Sequence, residues 1–310
     1  MAEIVLVHGI GQEQRSADSL ESEWLPALAG GVRTAGADRC ADELWRHARP
    51  GQRDVRMAFY GDLFRVDGRQ GGLADELTEA QWALAEPLAT QWLARSAQRA
   101  SRASDRATAE RELAALEPTG EVQGIAAALR PVLRSVARSR PFARLGVGLA
   151  ERFVLKALRQ VSLYFTDEDL RAEAQRRVLR HVDADTKVII GHSLGSVVAY
   201  EVAHRLERSL PLLLTLGSPL GLDTVVYQRL RPQPPRVPGC LLRWVNIADR
   251  DDVVAAEPDL TAGFPGAAGV LHSQYTVDNG AKPHEATFYL TAECTGHAVA
   301  RVLASGVRGG

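Results

Sequence analysis

Cysteine is scarce in this chain: 310 residues hold three, Cys40, Cys240 and Cys294, far apart and without a Cys-x-x-Cys pair. That pattern argues against a disulfide framework and against a thiolate zinc site. Charge of one sign is lacking as well. The 37 Lys and Arg against 38 Asp and Glu leave a net charge of −1, so no global field favours nucleic acid. No apolar run approaches the ~20 residues of a membrane-spanning helix, and the first strand-like stretch opens at once, with no charged and apolar regions of a secretory signal before it. The expectation is a soluble, cytoplasmic protein with no nucleic-acid partner and no integral membrane segment. No His-x-x-x-His spacing occurs, and the one carboxylate group, Asp249, Asp251 and Asp252, has another use below, so neither a metal nor a cofactor is expected.

What the chain does have is a short apolar run, Lys187 to Ile190, breaking into Gly191-His192-Ser193-Leu194-Gly195 and then into a helix-like stretch with Val197, Val198, Val202 and Leu206. A buried strand followed by a turn between two glycines and a helix is the setting of a nucleophile elbow. The glycines leave room beside the serine, and the sharp turn lifts its hydroxyl to where a histidine reaches it. Ser193 is the candidate nucleophile.

A serine hydroxyl needs an imidazole base near neutral pH, and the imidazole needs a carboxylate to fix its tautomer. Downstream, the strand-like Leu241–Ile247 ends in Asp249, Asp251 and Asp252, and the loop Asn279-Gly280-Ala281-Lys282-Pro283-His284 follows. His284 is the leading base. His297, in a helix-like stretch, is the main alternative, and His272 falls within a strand-like alternation. The order serine, acid, histidine is the order of a triad on an α/β-hydrolase sheet.

At this point the chain resembles the α/β-hydrolase superfamily, and within it the esterases and lipases with a Gly-His-Ser-Leu-Gly elbow. The resemblance covers the sheet segments and not the middle of the chain. It implies that the acid is Asp252, in the Asn246 to Val254 pattern, with Asp251 next and Asp249 more often a turn residue that caps backbone N–H groups. It also identifies His8-Gly9-Ile10-Gly11 as the oxyanion loop. One donor would be the N–H of Ile10 or Gly11, the other that of Leu194. His8 would brace the loop by hydrogen bonds rather than take part in the chemistry.

The strand-like segments are Ile4–His8, Val55–Tyr60, Val188–Gly191, Leu212–Leu216, Leu241–Ile247 and about Val270–Val277, separated by helical stretches. Such alternation predicts an α/β fold with a small, mostly parallel sheet flanked by helices. Residues 1–60 and 166–310 would form the hydrolase core and 61–165 a helical cap. Within the cap, Val122, Ile125, Leu129, Val132 and Val136 recur at helical spacing with Arg130, Arg134 and Arg138 on another face. Trp82, Trp92, Leu84, Leu88 and Leu93 read as cap core rather than as a lipid wedge, and Thr166 with Asp169 as a capping box. From Arg95 to Arg159, thirteen basic residues face six acidic ones. Solvated helix faces account for this excess, and peripheral contact with an anionic membrane is the alternative.

The function these features imply is hydrolysis of a small-molecule or lipid ester, of carboxylesterase or lipase type, through an acyl-enzyme on Ser193. Two alternatives stay open: a thioesterase, since the same machinery cuts thioesters, and an idle hydrolase fold that serves as a partner-binding or effector module.

Overall fold

Six short strands with alternating side chains make a single parallel sheet in the computed structural model, which describes residues 2–45, 55–65, 78–99, 103–114, 147–223, 225–255, 257–280 and 282–305. In chain order they are β1 (Ile4–Val7), β2 (Val55–Ala58), β3 (Val188–His192), β4 (Leu212–Leu216), β5 (Trp244–Asp249) and β6 (Leu271–Val277). They lie side by side as β2-β1-β3-β4-β5-β6, every pair parallel. The four inner strands are buried along their whole length, as the continuous apolar runs require of a parallel sheet covered on both faces.

The period of two divides the apolar residues between two cores. Ile4, Leu6, Val188, Ile190, Leu212, Leu214, Val245 and Ile247 face α1 (Ala17–Thr34) and α2 (Asp38–Leu44), together with the two carboxyl-terminal helices. Val5, Val7, Ile189 and Leu213 face the opposite layer. That layer holds α3 (Glu79–Arg99), α5 (Val147–Thr166), α6 (Glu168–Leu179) and α7 (Leu194–Ala203). Helix α4 (Ala103–Ala114) packs on α3, and α8 (Ala286–Thr291) and α9 (Glu293–Ser305) close the chain. Leu84, Leu88 and Trp92 of α3 are buried in the same cluster as Val154 and Leu158 of α5 and Val197 of α7, so these helices share one core with the sheet. The side chains of Trp82 and Leu93 and the helical spacing at 122–136 lie outside the described residues. Among those described, no helix is long and apolar enough to cross a membrane.

Three details differ from the sequence reading. Strand β5 starts at Trp244 rather than Leu241, because Leu241 makes only an isolated bridge to Leu210 and Leu242 is 64% exposed. Thr166 is not a helix cap. It ends α5 with its hydroxyl donating to Ser162 O at 2.8 Å, and Asp167 caps α6 by accepting from Leu170 N–H at 3.0 Å, since only an extended residue after the last turn of α5 can start a new helix. Strand β6 is an edge strand with mostly exposed residues, so the alternation that places His272 in a strand does not bury it.

A buried carboxylate fastens the layer that carries the serine helix. Glu201 of α7 pairs with the Arg171 guanidinium of α6 and accepts from Tyr164 Oη at 2.6 Å, Gln175 Nε2 at 2.8 Å and Arg231 N–H at 3.0 Å. A charge taken out of water persists only when so fully paired.

Candidate active site

The chain leaves β1 to form β2 on one side of it and then returns to place β3 on the other. The connections therefore diverge between β1 and β3, and at such a switch point a crevice opens at the carboxyl ends of the strands. The turn after β1 carries His8-Gly9-Ile10-Gly11, and the turn after β3 carries Ser193.

Ser193 adopts φ 54 and ψ −129, the only positive φ at a non-glycine among the described residues. Backbone strain of this kind costs about 1–3 kcal/mol and persists only where the surroundings over-determine it. Here Ser193 N–H donates to Leu216 O at 3.0 Å, and its own carbonyl accepts from Ser196 N–H at 2.9 Å and Ser196 Oγ at 2.6 Å. Close approach finishes the elbow: a Cβ on Gly195 would run into the carbonyl oxygens of Val7 and His8, and one on Gly191 would stand 2.6 Å from Gly195 O.

The imidazole of His284 meets the serine. Its Nε2 lies 3.0 Å from Ser193 Oγ and its Nδ1 lies 2.8 Å from Asp252 Oδ2. A carboxylate only accepts, so Nδ1 carries the proton and Nε2 offers a lone pair to the serine hydroxyl. Asp252 is fully buried. Burial alone would raise its pKa, but the His284 ring and hydrogen bonds from His284 and Tyr289 outweigh that and hold it below the ordinary carboxylate value. Its other oxygen accepts from Val254 N–H at 3.0 Å. Gly217, at φ 52 after β4, makes space for the pair, since a Cβ there would stand 2.8 Å from Asp252 Oδ2 and 3.2 Å from His284 Nδ1.

The other two aspartates lie apart from the imidazole. Asp249 accepts from Asp251 N–H at 2.6 Å and from Asn279 N–H, which makes it the brace between the β5 turn and the histidine loop. Asp251 is half-buried in the same turn. His297, on α9, faces Glu293 at 3.3 Å and is largely exposed.

Two further histidines are structural in their contacts. Tyr60 N–H donates to His8 Nε2 at 3.1 Å, so His8 Nδ1 is protonated and donates to Gly9 O at 2.8 Å. Burial lowers its pKa to about 4, and the ring stacks on Tyr60. His192 Nε2 donates to His284 O at 3.1 Å, a hydrogen bond from the elbow strand to the loop of the base. Burial, assisted by the His284 ring, lowers its pKa to about 3.

On the β1 side, Gly11 N–H is engaged by Gln160 Oε1 at 2.9 Å. Of the two donors considered for this turn, Ile10 N–H is the one without a partner among the described residues, and Leu194 N–H across the elbow is likewise unpaired.

Sequence reasoning missed two residues here. Tyr289 of α8 donates to Asp252 Oδ2 at 2.7 Å and accepts from Asp249 N–H at 2.8 Å, tying the two aspartates together. Gln160 of α5 is the other. Neither carries a local signal, since a tyrosine and a glutamine on amphipathic helices belong to no motif. Among the described residues no group of three or more His, Cys, Asp or Glu is placed to hold a metal ion.

Fold and site together define an α/β protein with a serine, an imidazole and a carboxylate in hydrogen-bond sequence at the switch point of a parallel sheet. No protein-family model, curated protein or solved structure matches the chain.

Proposed function

We propose that this chain is a serine hydrolase of the α/β-hydrolase type that cleaves carboxylic esters through an acyl-enzyme. The observation that carries the reading is the relay from Ser193 Oγ through His284 to Asp252, at 3.0 and 2.8 Å, on a serine held in a strained elbow. A merely structural serine has no need of strain, of an aligned base, or of a buried carboxylate kept ionised behind that base.

In the proposed reaction Ser193 Oγ attacks the acyl carbon as its proton passes to His284 Nε2, and Asp252 stabilises the imidazolium without taking the proton. The tetrahedral oxyanion is met by the N–H groups of Ile10 and Leu194, each worth about 3 kcal/mol of transition-state stabilisation. Collapse breaks the bond to the alcohol, which leaves with the proton from His284. Water, deprotonated by His284, then attacks the acyl-enzyme and releases the acid and Ser193.

The strand order, with its switch point between β1 and β3, supports the hydrolase fold. The described helices of the 61–165 segment reach the edge of the site, as a cap contribution would require: Arg95 of α3 pairs with Glu257, beyond Asp252, at 3.1 Å, and Gln160 of α5 reaches the β1 turn. The substrate in this reading is a small-molecule or lipid ester.

Intact-mass measurement after treatment with a fluorophosphonate tests the reading. One adduct is expected on the wild type and none on Ser193→Ala, which should also lose ester turnover altogether. A wild type without an adduct would overturn the proposal in favour of an idle fold, and turnover of thioesters in preference to oxygen esters would move it to a thioesterase.

A further inference from the structure

We propose that Gln160 is a working part of the same site: its side-chain oxygen holds the turn after β1, and its side-chain NH2 donates a hydrogen bond to the acyl oxygen of the bound ester. The inference rests on the hydrolase reading and extends it to a donor from the helical segment.

Gln160 is 1% exposed, and only half of its amide is used. Oε1 accepts from Gly11 N–H at 2.9 Å, while Nε2 is buried without a hydrogen-bond partner. The two ends of the amide are not interchangeable, because a backbone N–H can be met only by the oxygen. The orphan is therefore a donor, and it is fixed beside Gly11. Proteins seldom leave a buried donor unpaired, and such groups point to a ligand or a solvent molecule that completes them.

The orphan also has company. Ile10 N–H in the same turn and Leu194 N–H after the serine have no partners among the described residues. The turn stands against the nucleophile, since a Cβ on Gly9 would be 2.7 Å from the Ser193 Cβ. Unpaired donors in the turns after β1 and β3, next to a serine with its base in place, match an acceptor that gains negative charge during reaction. The acyl oxygen of an ester is such an acceptor.

Contacts on either side of Gln160 keep it in register. Lys156, one turn earlier on α5, pairs with Glu13 at 2.7 Å, and Arg159 donates to Phe64 O at 3.2 Å. Gly11 sits at φ 79, so the turn that Gln160 holds has a conformation of its own to keep.

The test compares p-nitrophenyl butyrate with its thiono counterpart, in which the acyl oxygen is replaced by sulfur, a poor hydrogen-bond acceptor. Gln160→Leu should lower kcat/KM on the oxygen ester by about 100-fold and on the thionoester by far less, so the ratio of the two rates collapses. Gln160→Glu, assayed at high pH so that its carboxyl is ionised, keeps an acceptor for Gly11 N–H but has no donor, and should fall as far on the oxygen ester. Should Gln160→Leu fail to fold, Gln160→Glu with the same ratio decides. Equal losses on both esters, or wild-type rates in Gln160→Glu, would overturn the donor role and leave Gln160 as an anchor. Wild type that takes no fluorophosphonate on Ser193 overturns the hydrolase reading itself, whereas a labelled wild type with an unchanged ratio in the variants overturns only the part played by Gln160.

Discussion

On the imidazole side of Ser193 the polar atoms are joined to one another: His284 to Asp252, Asp252 to Tyr289 and Val254 N–H, Tyr289 to Asp249 N–H, Asp249 to the loop of His284. On the β1 side, Ile10 N–H and Gln160 Nε2 have nothing to bond among the described residues, and neither has Leu194 N–H across from them, after the serine. The imidazole side takes a proton from Ser193 and passes it to the leaving alcohol, so its geometry has to be complete before substrate arrives. The β1 side handles charge that exists only in the transition state, and donors already satisfied would have to exchange partners before they could stabilise it.

Breaking the closed side at its centre should have the largest effect. Asp252→Asn leaves the shape of the site in place but offers His284 Nδ1 an amide that can donate, which favours the wrong imidazole tautomer. Turnover of p-nitrophenyl esters should fall by about 10⁴-fold, with the fluorophosphonate reaction of Ser193 slowed alongside it. A loss of tenfold or less, with Asp249→Asn costing more, would move the acid to Asp249.

A smaller break lies one bond further out. Tyr289→Phe removes the hydroxyl that joins Asp252 Oδ2 to Asp249 N–H and leaves that buried N–H without its acceptor. The loss should be about 1–3 kcal/mol of stability, read by denaturant unfolding. If the network acts as a unit, turnover falls about tenfold as well, because the carboxylate is less well held. Unchanged turnover with lowered stability would show that the closed side needs Tyr289 for folding alone.

The asymmetry between the two sides also explains what the sequence could reveal. Ser193, Asp252 and His284 were legible because each lies on the connection that follows a strand, where chain order and turn chemistry give it away, and the sheet was legible because buried parallel strands leave short apolar runs. Tyr289 and Gln160 were not, since each is brought to the site by a helix packed from a different layer, and helical periodicity reports which face is buried without reporting what that face meets. The start of β5 and the cap of α6 differ from the sequence reading for a related reason: two leucines stand ahead of the first ladder partner, Trp244, and threonine and aspartate compete for the same cap.

The last lever on the comparison is pH, which acts on the fold rather than on turnover, through the two neutral histidines that flank the serine. Burial holds His8 at about 4 and His192 at about 3, against about 6.5 for an unfolded chain. A ring with a depressed pKa lets the unfolded state bind protons first, so this contribution to stability is complete above pH 6.5 and is lost as pH falls toward 4 and 3. Between pH 7.5 and pH 5 each ring should lose about 2 kcal/mol, and the pair about 4 kcal/mol. His204, also lowered to about 4 by burial but only half-buried, adds less. The lowered Asp252 adds its own loss only below the unfolded carboxylate value near 3.8, and Asp249, raised by burial, shifts stability the opposite way, so the loss between 6.5 and 4 belongs to the histidines. Denaturant unfolding at pH 7.5 and 5 checks this, and His8→Gln, which can still donate to Gly9 O and accept from Tyr60 N–H, should halve the drop. A drop of the same size in His8→Gln would mean that the ring beside the β1 turn already carries a proton in the folded protein, and that this side of the site is less dry than its unpaired donors require.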